Sequence, residues 1–288
     1  MNGPLLIAAN HPNSFLDAII IATIFKRPVY SLTRGDVYAN RLLSALLEAM
    51  NMLPVYRISE GADKLDQNYL TFGKCREIFK KNGIVLIFSE GRCENEWHLR
   101  PLKKGTARLA ISSWEEKIPL TVLPAGINYQ SFLTFGKNVE INFGTPIRSA
   151  DIDLTNVQGK VIGDFNELLL QNLQPLVAEY DKGDPAIKKR FEIKQSFARR
   201  SLLMLPAMIG WGLHAPLYSV VQQYTWKKAG HSGHYDSILV ALLFITYPFY
   251  LAIAAALVVV LVPGLWWPGV FVLFPFCAWS YLQLKKQF

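Results

Sequence analysis

GPLLIAANHPNSFLDAIIIATIF (residues 3–25) contains an apolar run, a polar turn and a second apolar run. Residues 3–9 form a short apolar segment that ends at a turn signal, which is typical of a buried strand. Residues 14–25 predict a helix, because Ser14 followed by Asp17 resembles a capping box with Asp in place of Glu or Gln. The stretch therefore predicts a strand–turn–helix unit.

The same alternation continues along the chain. Further strands are predicted at 28–33, 52–57, 84–89, 119–128 and 138–143, and further helices at 37–49, 67–81, 104–114 and 163–178. Strands that alternate with helices indicate an α/β fold, with a layered, largely parallel sheet flanked by helices. We assign this domain to residues 1–180.

Composition narrows the classes of partner. The 288 residues are 51% hydrophobic and carry a formal net charge of +8. A basic protein favours nucleic acid, phosphorylated metabolites or an anionic membrane surface, and the apolar last third favours the last two. We therefore predict no binding of nucleic acid. Cys75, Cys93 and Cys277 are far apart and fit neither a disulfide framework nor a metal site, so we predict no metal.

The last third of the chain predicts membrane segments. A basic connector over 181–200 precedes 201–221, which has no Asp, Glu, Lys or Arg but contains Pro206 and Pro216. Residues 237–262 and 264–282 are each long enough to cross a bilayer, which needs about 20 apolar residues. We predict a C-terminal α-helical membrane region over 201–288, with a re-entrant or interfacial segment at 201–221 and a spanning hairpin at 237–282.

Charge predicts the orientation. The connector, Lys227 and Lys228, and Lys285 and Lys286 are basic and favour the cytoplasmic side. Three full spans remain an alternative, but they would place Lys227 and Lys228 outside. The prediction is an integral membrane protein whose N-terminal domain faces the cytoplasm.

The turn Asn10-His11-Pro12-Asn13-Ser14-Phe15-Leu16-Asp17 carries the first candidate site. A strand end presents His11, and the first turn of the next helix can bring Asp17 back toward the imidazole. Histidine titrates near neutral pH and can remove a proton from a hydroxyl acceptor, and a carboxylate behind it stabilises the imidazolium. A turn histidine beside a capping aspartate is the alternative interpretation.

A second candidate site follows the strand at 84–89. Ser89-Glu90-Gly91-Arg92 and the later segment Leu99-Arg100-Pro101-Leu102-Lys103-Lys104-Gly105 form a glycine-containing, basic loop. Ligands of α/β proteins bind at the carboxyl ends of buried strands. Arg92 and Lys104 can hold a phosphate there. Arg57 ends another strand in the same way and is a weaker candidate, and Arg34 is a third such case.

These blocks together resemble the PlsC-type glycerolipid acyltransferase family. NHPNSFLD (10–17) matches the family's His…Asp motif, and FSEGR (88–92) with LRPLKKG (99–105) matches its later blocks. PVYR (54–57) and VLPAGIN (122–128) match two more. The family commonly has four residues between His and Asp; the five found here resemble the branch of glycerol-3-phosphate and dihydroxyacetone-phosphate acyltransferases.

The resemblance implies specific roles. His11 would be the general base and Asp17 its orienting partner, while Glu90, Gly91 and Arg92, with Arg57 and Lys104, would help to bind the phosphorylated acceptor. Pro124 would be a structural or donor-pocket position.

The implied reaction moves a fatty acyl chain from acyl-CoA or acyl-carrier protein to glycerol-3-phosphate, dihydroxyacetone phosphate or lysophosphatidate in phospholipid biosynthesis. The thioester is then a co-substrate, and no resident cofactor is implied. The implied partners are anionic membrane lipids, the acyl thioester, the acceptor and, for one donor, acyl-carrier protein. Lysophospholipid remodelling and a non-catalytic lipid-binding protein remain alternatives.

Overall fold

A computed structural model describes residues 3–56, 62–262 and 267–285, except for the side chains of 42 and 62–67. The described residues divide into two compact units. The first contains 1–128 and 140–182, and the second contains 129–139 and 183–288.

The described part of the first unit contains the predicted sheet. Its strands are β1 (Leu5–Ala9), β2 (Val29–Arg34), β3 (Met52–Val55), β4 (Ile84–Phe88), β5 (Thr121–Tyr129) and β6 (Val139–Phe143). The strand order is β3-β2-β4-β1-β5-β6, and β1 to β5 pair in parallel. Hydrogen bonds from Gln130 to Asn138 and from Gly144 to Pro124 make β6 antiparallel to β5. The predicted α/β fold with a largely parallel sheet is therefore confirmed.

The helices that alternate with these strands are α1 (Phe15–Ile24), α2 (Arg41–Ala49), α3 (Ala62–Lys80), α4 (Lys104–Glu115) and α5 (Gln158–Leu173). Predicted helices begin within a few residues of these bounds, except that α3 and α5 each begin five residues earlier than predicted. Ser14 is the N-cap of α1, but its hydroxyl makes no capping hydrogen bond. The serine half of the predicted capping box is therefore wrong.

The core lies around the central strand β1, all five residues of which are buried. Successive side chains of a strand point to opposite faces, so a strand buried throughout needs cover on both faces. Leu6 and Ala8 belong to one apolar cluster with Ala107 of α4 and Phe165 of α5. This packing fixes β1 as a rigid support for the residues that follow it.

The register of β1 with β4 determines which loops meet. Ala9 pairs with Phe88, the last residue of β4. Since the two strands are parallel and adjacent, the residues just beyond each one leave the same edge of the sheet side by side. The Asn10 side chain also exchanges two hydrogen bonds with the main chain of Ile127, at 2.7 and 3.0 Å, and so ties the end of β1 to β5.

In the second unit, the described helices are α6 (Pro185–Phe191), α7 (Phe197–Ala229), α8 (Tyr235–Leu261) and α9 (Val270–Leu284). Residues 201–221 lie inside the uninterrupted helix α7, although Pro206 and Pro216 are internal to it. A re-entrant segment would need a reversal within that range, and α7 has none. The interfacial alternative remains a prediction.

Among the described residues, one helix, Tyr235–Leu261, is long and apolar enough to cross a membrane. Large apolar side chains of α7, α8 and α9 are exposed, among them Leu205, Trp211, Phe244, Phe249, Val272 and Leu273. The joint of the predicted hairpin, 263–266, lies outside the described residues. The spanning hairpin therefore also stays a prediction.

Helices α7 and α9 approach closely at Gly210. A Cβ atom added there would lie 2.1 Å from the carbonyl oxygen of Cys277, a distance no side chain can adopt. Glycine is therefore required at position 210 for this helix contact.

Polar contacts also hold the second unit together. Lys137 forms a buried ion pair with Asp236, and Lys285 Nζ donates to the Phe135 carbonyl oxygen at 2.8 Å.

Candidate active site

His11 follows β1 directly and contacts Asp17. Its Nδ1 lies 2.9 Å from Asp17 Oδ2, and the His11 side chain is 17% exposed whereas that of Asp17 is fully buried. An ionised carboxylate only accepts hydrogen bonds, so Nδ1 carries the proton and the lone pair of the neutral ring lies on Nε2. Nε2 has no hydrogen-bond partner among the described residues. His11 and Asp17 therefore form the pair that the sequence predicts.

The first turn of α1 holds the Asp17 carboxylate in place. The Asn13 main-chain N–H donates to the same Oδ2 atom at 2.8 Å, and Asp17 N–H donates to the Ser14 carbonyl at 3.2 Å. The five residues between His11 and Asp17 thus fold into a tight turn that closes the pair. The long spacing does not prevent the contact.

Phe88 fixes the orientation of the imidazole. Its ring stacks on that of His11, with 3.8 Å between the centroids and 9° between the planes. The sequence interpretation missed this role, although Phe88 begins the FSEGR block, because the pairing of β1 with β4 was not known. The stack restricts His11 to one plane.

Glu90 lies beside His11 and is only 3% exposed. Its Oε2 accepts from His11 N–H at 2.9 Å, and its Oε1 accepts from Arg100 N–H, also at 2.9 Å. Burial raises the pKa of this carboxyl group above its ordinary value, and the two backbone hydrogen bonds oppose that rise. Since both oxygens are occupied by main-chain donors, Glu90 supports the two loops. A role of Glu90 in binding the acceptor stays a prediction.

Gly91 makes the turn that follows Glu90. Its φ is +70°, in the region that favours glycine, and an added Cβ would lie 2.9 Å from Lys103 Cγ. The Lys103 N–H donates to the Ser89 carbonyl at 2.7 Å, and Thr106 Oγ1 donates to Ser89 Oγ at 3.0 Å. The beginning of α4 is therefore held against the end of β4.

Two of the predicted cations lie on this loop. Arg92 is 54% exposed, and its Nε is 3.3 Å from Glu94 Oε1. Lys104 is exposed and is the first residue of α4, whose N-terminus has no side-chain cap. The first N–H groups of a helix have no partner within it and carry partial positive charge, so this end attracts anions.

The remaining candidates are Arg57, Arg34 and Pro124. Arg57 is outside the described residues. Arg34, at the end of β2, forms an exposed ion pair with Asp36, and its guanidinium lowers the pKa of that carboxyl group. Pro124 lies in the middle of β5, paired with Ala8 of β1, which is a structural position.

Cys93 lies near the turn that carries His11. The Ser14 N–H donates to its Sγ at 2.9 Å. Burial, with the charge of Asp17 as a second cause, raises the pKa of the thiol to about 12. A thiol with that pKa is protonated at neutral pH and is a poor nucleophile.

The fold and this arrangement define a class of protein. A parallel sheet presents a histidine that is oriented by a buried carboxylate, and the loop after the neighbouring strand carries basic side chains and leads into the uncapped N-terminus of α4. Residues 1–128 match the family described as Acyltransferase. Residues 1–128 therefore carry an acyltransferase domain, as the sequence motifs indicated.

One similar protein has a name that states a particular reaction. A chloroplastic 1-acyl-sn-glycerol-3-phosphate acyltransferase of Brassica napus is 23% identical over 155 residues. The matched segment covers 52% of this chain and 43% of that protein, so the chain spans less than half the length of the relative that it matches.

Proposed function

We propose that this chain is a membrane-bound O-acyltransferase of glycerolipid synthesis. It would transfer a fatty acyl chain from acyl-CoA or acyl-carrier protein to the hydroxyl of glycerol-3-phosphate, dihydroxyacetone phosphate or lysophosphatidate. The observation that carries the proposal is the contact between His11 Nδ1 and Asp17 Oδ2, which leaves Nε2 available as a base.

The chemistry needs one base and no protein nucleophile. His11 Nε2 takes the proton of the acceptor hydroxyl while its oxygen forms a bond to the thioester carbonyl carbon. The tetrahedral intermediate then expels the thiolate by breaking the C–S bond, and the imidazolium returns its proton to that sulfur. Asp17 stabilises the imidazolium between these two steps. Atoms and charges balance in these steps with the acceptor, the thioester and His11 alone.

The acceptor phosphate is assigned to the basic loop. Arg92 and Lys104 supply positive charge, and the N-terminus of α4 supplies N–H donors. Glu90 connects the two halves of the site, because its carboxylate joins the main chain of His11 to that of Arg100. A phosphate on this loop would place the acceptor near the base.

A membrane location suits these substrates. Exposing an acyl chain to water costs about 0.8 kcal/mol per CH₂ group, so transfer at a bilayer surface avoids that cost. The apolar helix Tyr235–Leu261 supports anchoring, and basic residues in the last turn of α6, Lys188, Lys189 and Arg190, would attract anionic lipids. We place the catalytic domain on the cytoplasmic side.

The test is acyl transfer by the membrane fraction with labelled acyl-CoA and labelled acyl-carrier protein. The acceptors are glycerol-3-phosphate, dihydroxyacetone phosphate and lysophosphatidate, each offered separately. His11→Ala should lower the rate by about 10³-fold or more, in the upper range for general-base catalysis. His98→Ala, a change at an exposed histidine, is the matched control. Transfer that survives in folded His11→Ala protein would refute the mechanism.

A further inference from the structure

The turn at His11–Ser14 lies outside any helix or strand, so its main-chain polar groups need other partners. Two of its N–H groups bond to residues of the candidate site: His11 N–H to Glu90 and Asn13 N–H to Asp17. Three more polar groups of the turn have partners outside the candidate site: the carbonyls of His11 and Pro12 and the N–H of Ser14.

All three of these groups form hydrogen bonds with one short segment, residues 93–95. Glu94 N–H donates to the His11 carbonyl at 3.2 Å, and Asn95 Nδ2 donates to the Pro12 carbonyl at 2.7 Å. Cys93 Sγ accepts from Ser14 N–H at 2.9 Å. We call residues 93–95 the strap.

The turn needs such support because Ser14 has an unfavourable backbone. Its φ is 53° and its ψ is −135°, a conformation rarely adopted by a residue with a side chain. Strained residues of this kind persist only where the surroundings over-determine them. Ser14 immediately precedes α1, so its conformation sets the direction from which Asp17 approaches His11.

We propose that the strap is a positioning element for the catalytic pair. Its three hydrogen bonds hold the turn in the conformation that brings His11 Nδ1 to Asp17. Cys93, Asn95 and the main chain of Glu94 act through the turn, while the Glu94 carboxylate lies 3.3 Å from Arg92 Nε. The inference rests on the proposed function, because it assigns a role in that same site.

Asn95 offers the sharpest test, since its side chain donates one hydrogen bond to the turn. Asn95→Ala removes the donor, and Asn95→Asp keeps the size but places a carboxylate against the Pro12 carbonyl. A small misplacement of a catalytic group can cost up to about 100-fold in rate, so we expect kcat to fall about tenfold. The KM for both substrates should stay within about twofold, because the acceptor loop is unchanged.

The matched control is Asn142→Ala. Asn142 Nδ2 also donates to a main-chain carbonyl, that of Leu176 at 3.2 Å, and to Glu140 Oε1 at the same distance, but it lies on the edge strand β6. Both alanine variants should lose similar thermal stability, whereas kcat should fall in the Asn95 variants alone. Equal kcat in Asn95→Ala and Asn142→Ala would overturn the proposal.

Cys93→Ala provides a second variant. A sulfur acceptor makes a weak hydrogen bond, so its loss should lower kcat by only about threefold. Complete loss of transfer in folded Cys93→Ala protein would instead indicate a direct chemical role and would contradict the strap.

Amide hydrogen exchange separates this inference from the proposed function. Mass spectrometry of a peptide over residues 10–18 should show faster exchange in Asn95→Ala than in the unaltered chain, and no change in Asn142→Ala. If the unaltered chain transfers no acyl group, the proposed function fails. The amide exchange of residues 10–18 would still show whether the strap holds the turn. Unchanged exchange in Asn95→Ala would refute it.

Discussion

The turn that carries His11 and the basic loop after β4 use their polar groups in opposite ways. In the turn, carbonyls and N–H groups bond to Glu90, Asp17 and the strap, and the rings of His11 and Phe88 stack. On the loop, Arg92 is exposed and has a single carboxylate at 3.3 Å. The difference fits the tasks we propose for the two regions: proton transfer needs fixed geometry, whereas attraction of a phosphate needs charge. Changes in the turn should therefore affect kcat, and changes on the loop should affect the acceptor KM.

Asp17→Asn gives the largest effect among the orienting residues. The amide has nearly the shape of the carboxylate but lacks its charge, so it stabilises the imidazolium poorly and no longer fixes the Nδ1–H tautomer. We expect kcat to fall about 100-fold or more, with little change in either KM. Steady-state kinetics with both substrates varied measures this. If Asp17→Asn raised the acceptor KM and left kcat unchanged, Asp17 would act in acceptor binding and not in proton transfer.

Glu90→Gln should affect both stability and rate. Glutamine offers one acceptor oxygen where two main-chain N–H groups now bond, so one buried donor loses its partner. An unsatisfied buried donor costs about 1–3 kcal/mol, and at about 2–4 °C per kcal/mol the melting temperature should fall by several degrees. We expect kcat to fall about tenfold, since the His11 main chain is one of the two donors.

The pH dependence of stability gives a second measurement on the same variant. The folded-state pKa of Glu90 is raised above the unfolded value, so the native state binds the proton more tightly. This group's contribution is therefore greatest below the ordinary pKa of glutamate and is lost as the pH rises through the raised value. Glu90→Gln should remove that part of the pH dependence. Glu116→Gln, at an exposed carboxylate paired with Arg76, should leave it unchanged.

Arg92→Ala should raise the acceptor KM about tenfold, through the loss of a charge-assisted hydrogen bond to phosphate, with kcat and the donor KM nearly unchanged. Lys160→Ala is the control, because Lys160 is also an exposed cation with a carboxylate at 3.3 Å, but on α5. An effect confined to the acyl donor would remove Arg92 from the phosphate site.

Lys104→Ala should give the smallest effect, about threefold on the acceptor KM. Lysine acts as a flexible point charge, and the N–H groups of the first turn of α4 remain after the change. Raising the salt concentration should weaken acceptor binding in the unaltered chain and reduce the difference between the two proteins. A change in kcat alone would contradict the assignment.

The sequence predicted the fold and the family because both depend on local patterns. Alternating apolar runs predicted the strands, and the short spacing from His11 to Asp17 made their contact predictable. The spacing alone did not reveal the supports of that pair. Phe88, Glu90 and Asn95 reach the turn from about 80 residues away, through the register of β1 with β4. Likewise, the positive charge of Lys227 and Lys228 favoured a re-entrant or interfacial segment at 201–221, but α7 continues through that whole range.

The contact at Gly210 has a consequence for the making of the protein. Its partner on α9, Cys277, follows roughly 70 residues later, which at about 5–20 residues per second is a delay of about 4–14 s. During that interval α8 is synthesised, but the backbone of Cys277 that lies against Gly210 does not yet exist. A larger residue at position 210 would therefore lower the yield of correctly assembled chains more than it lowers the catalytic rate of those chains that do assemble.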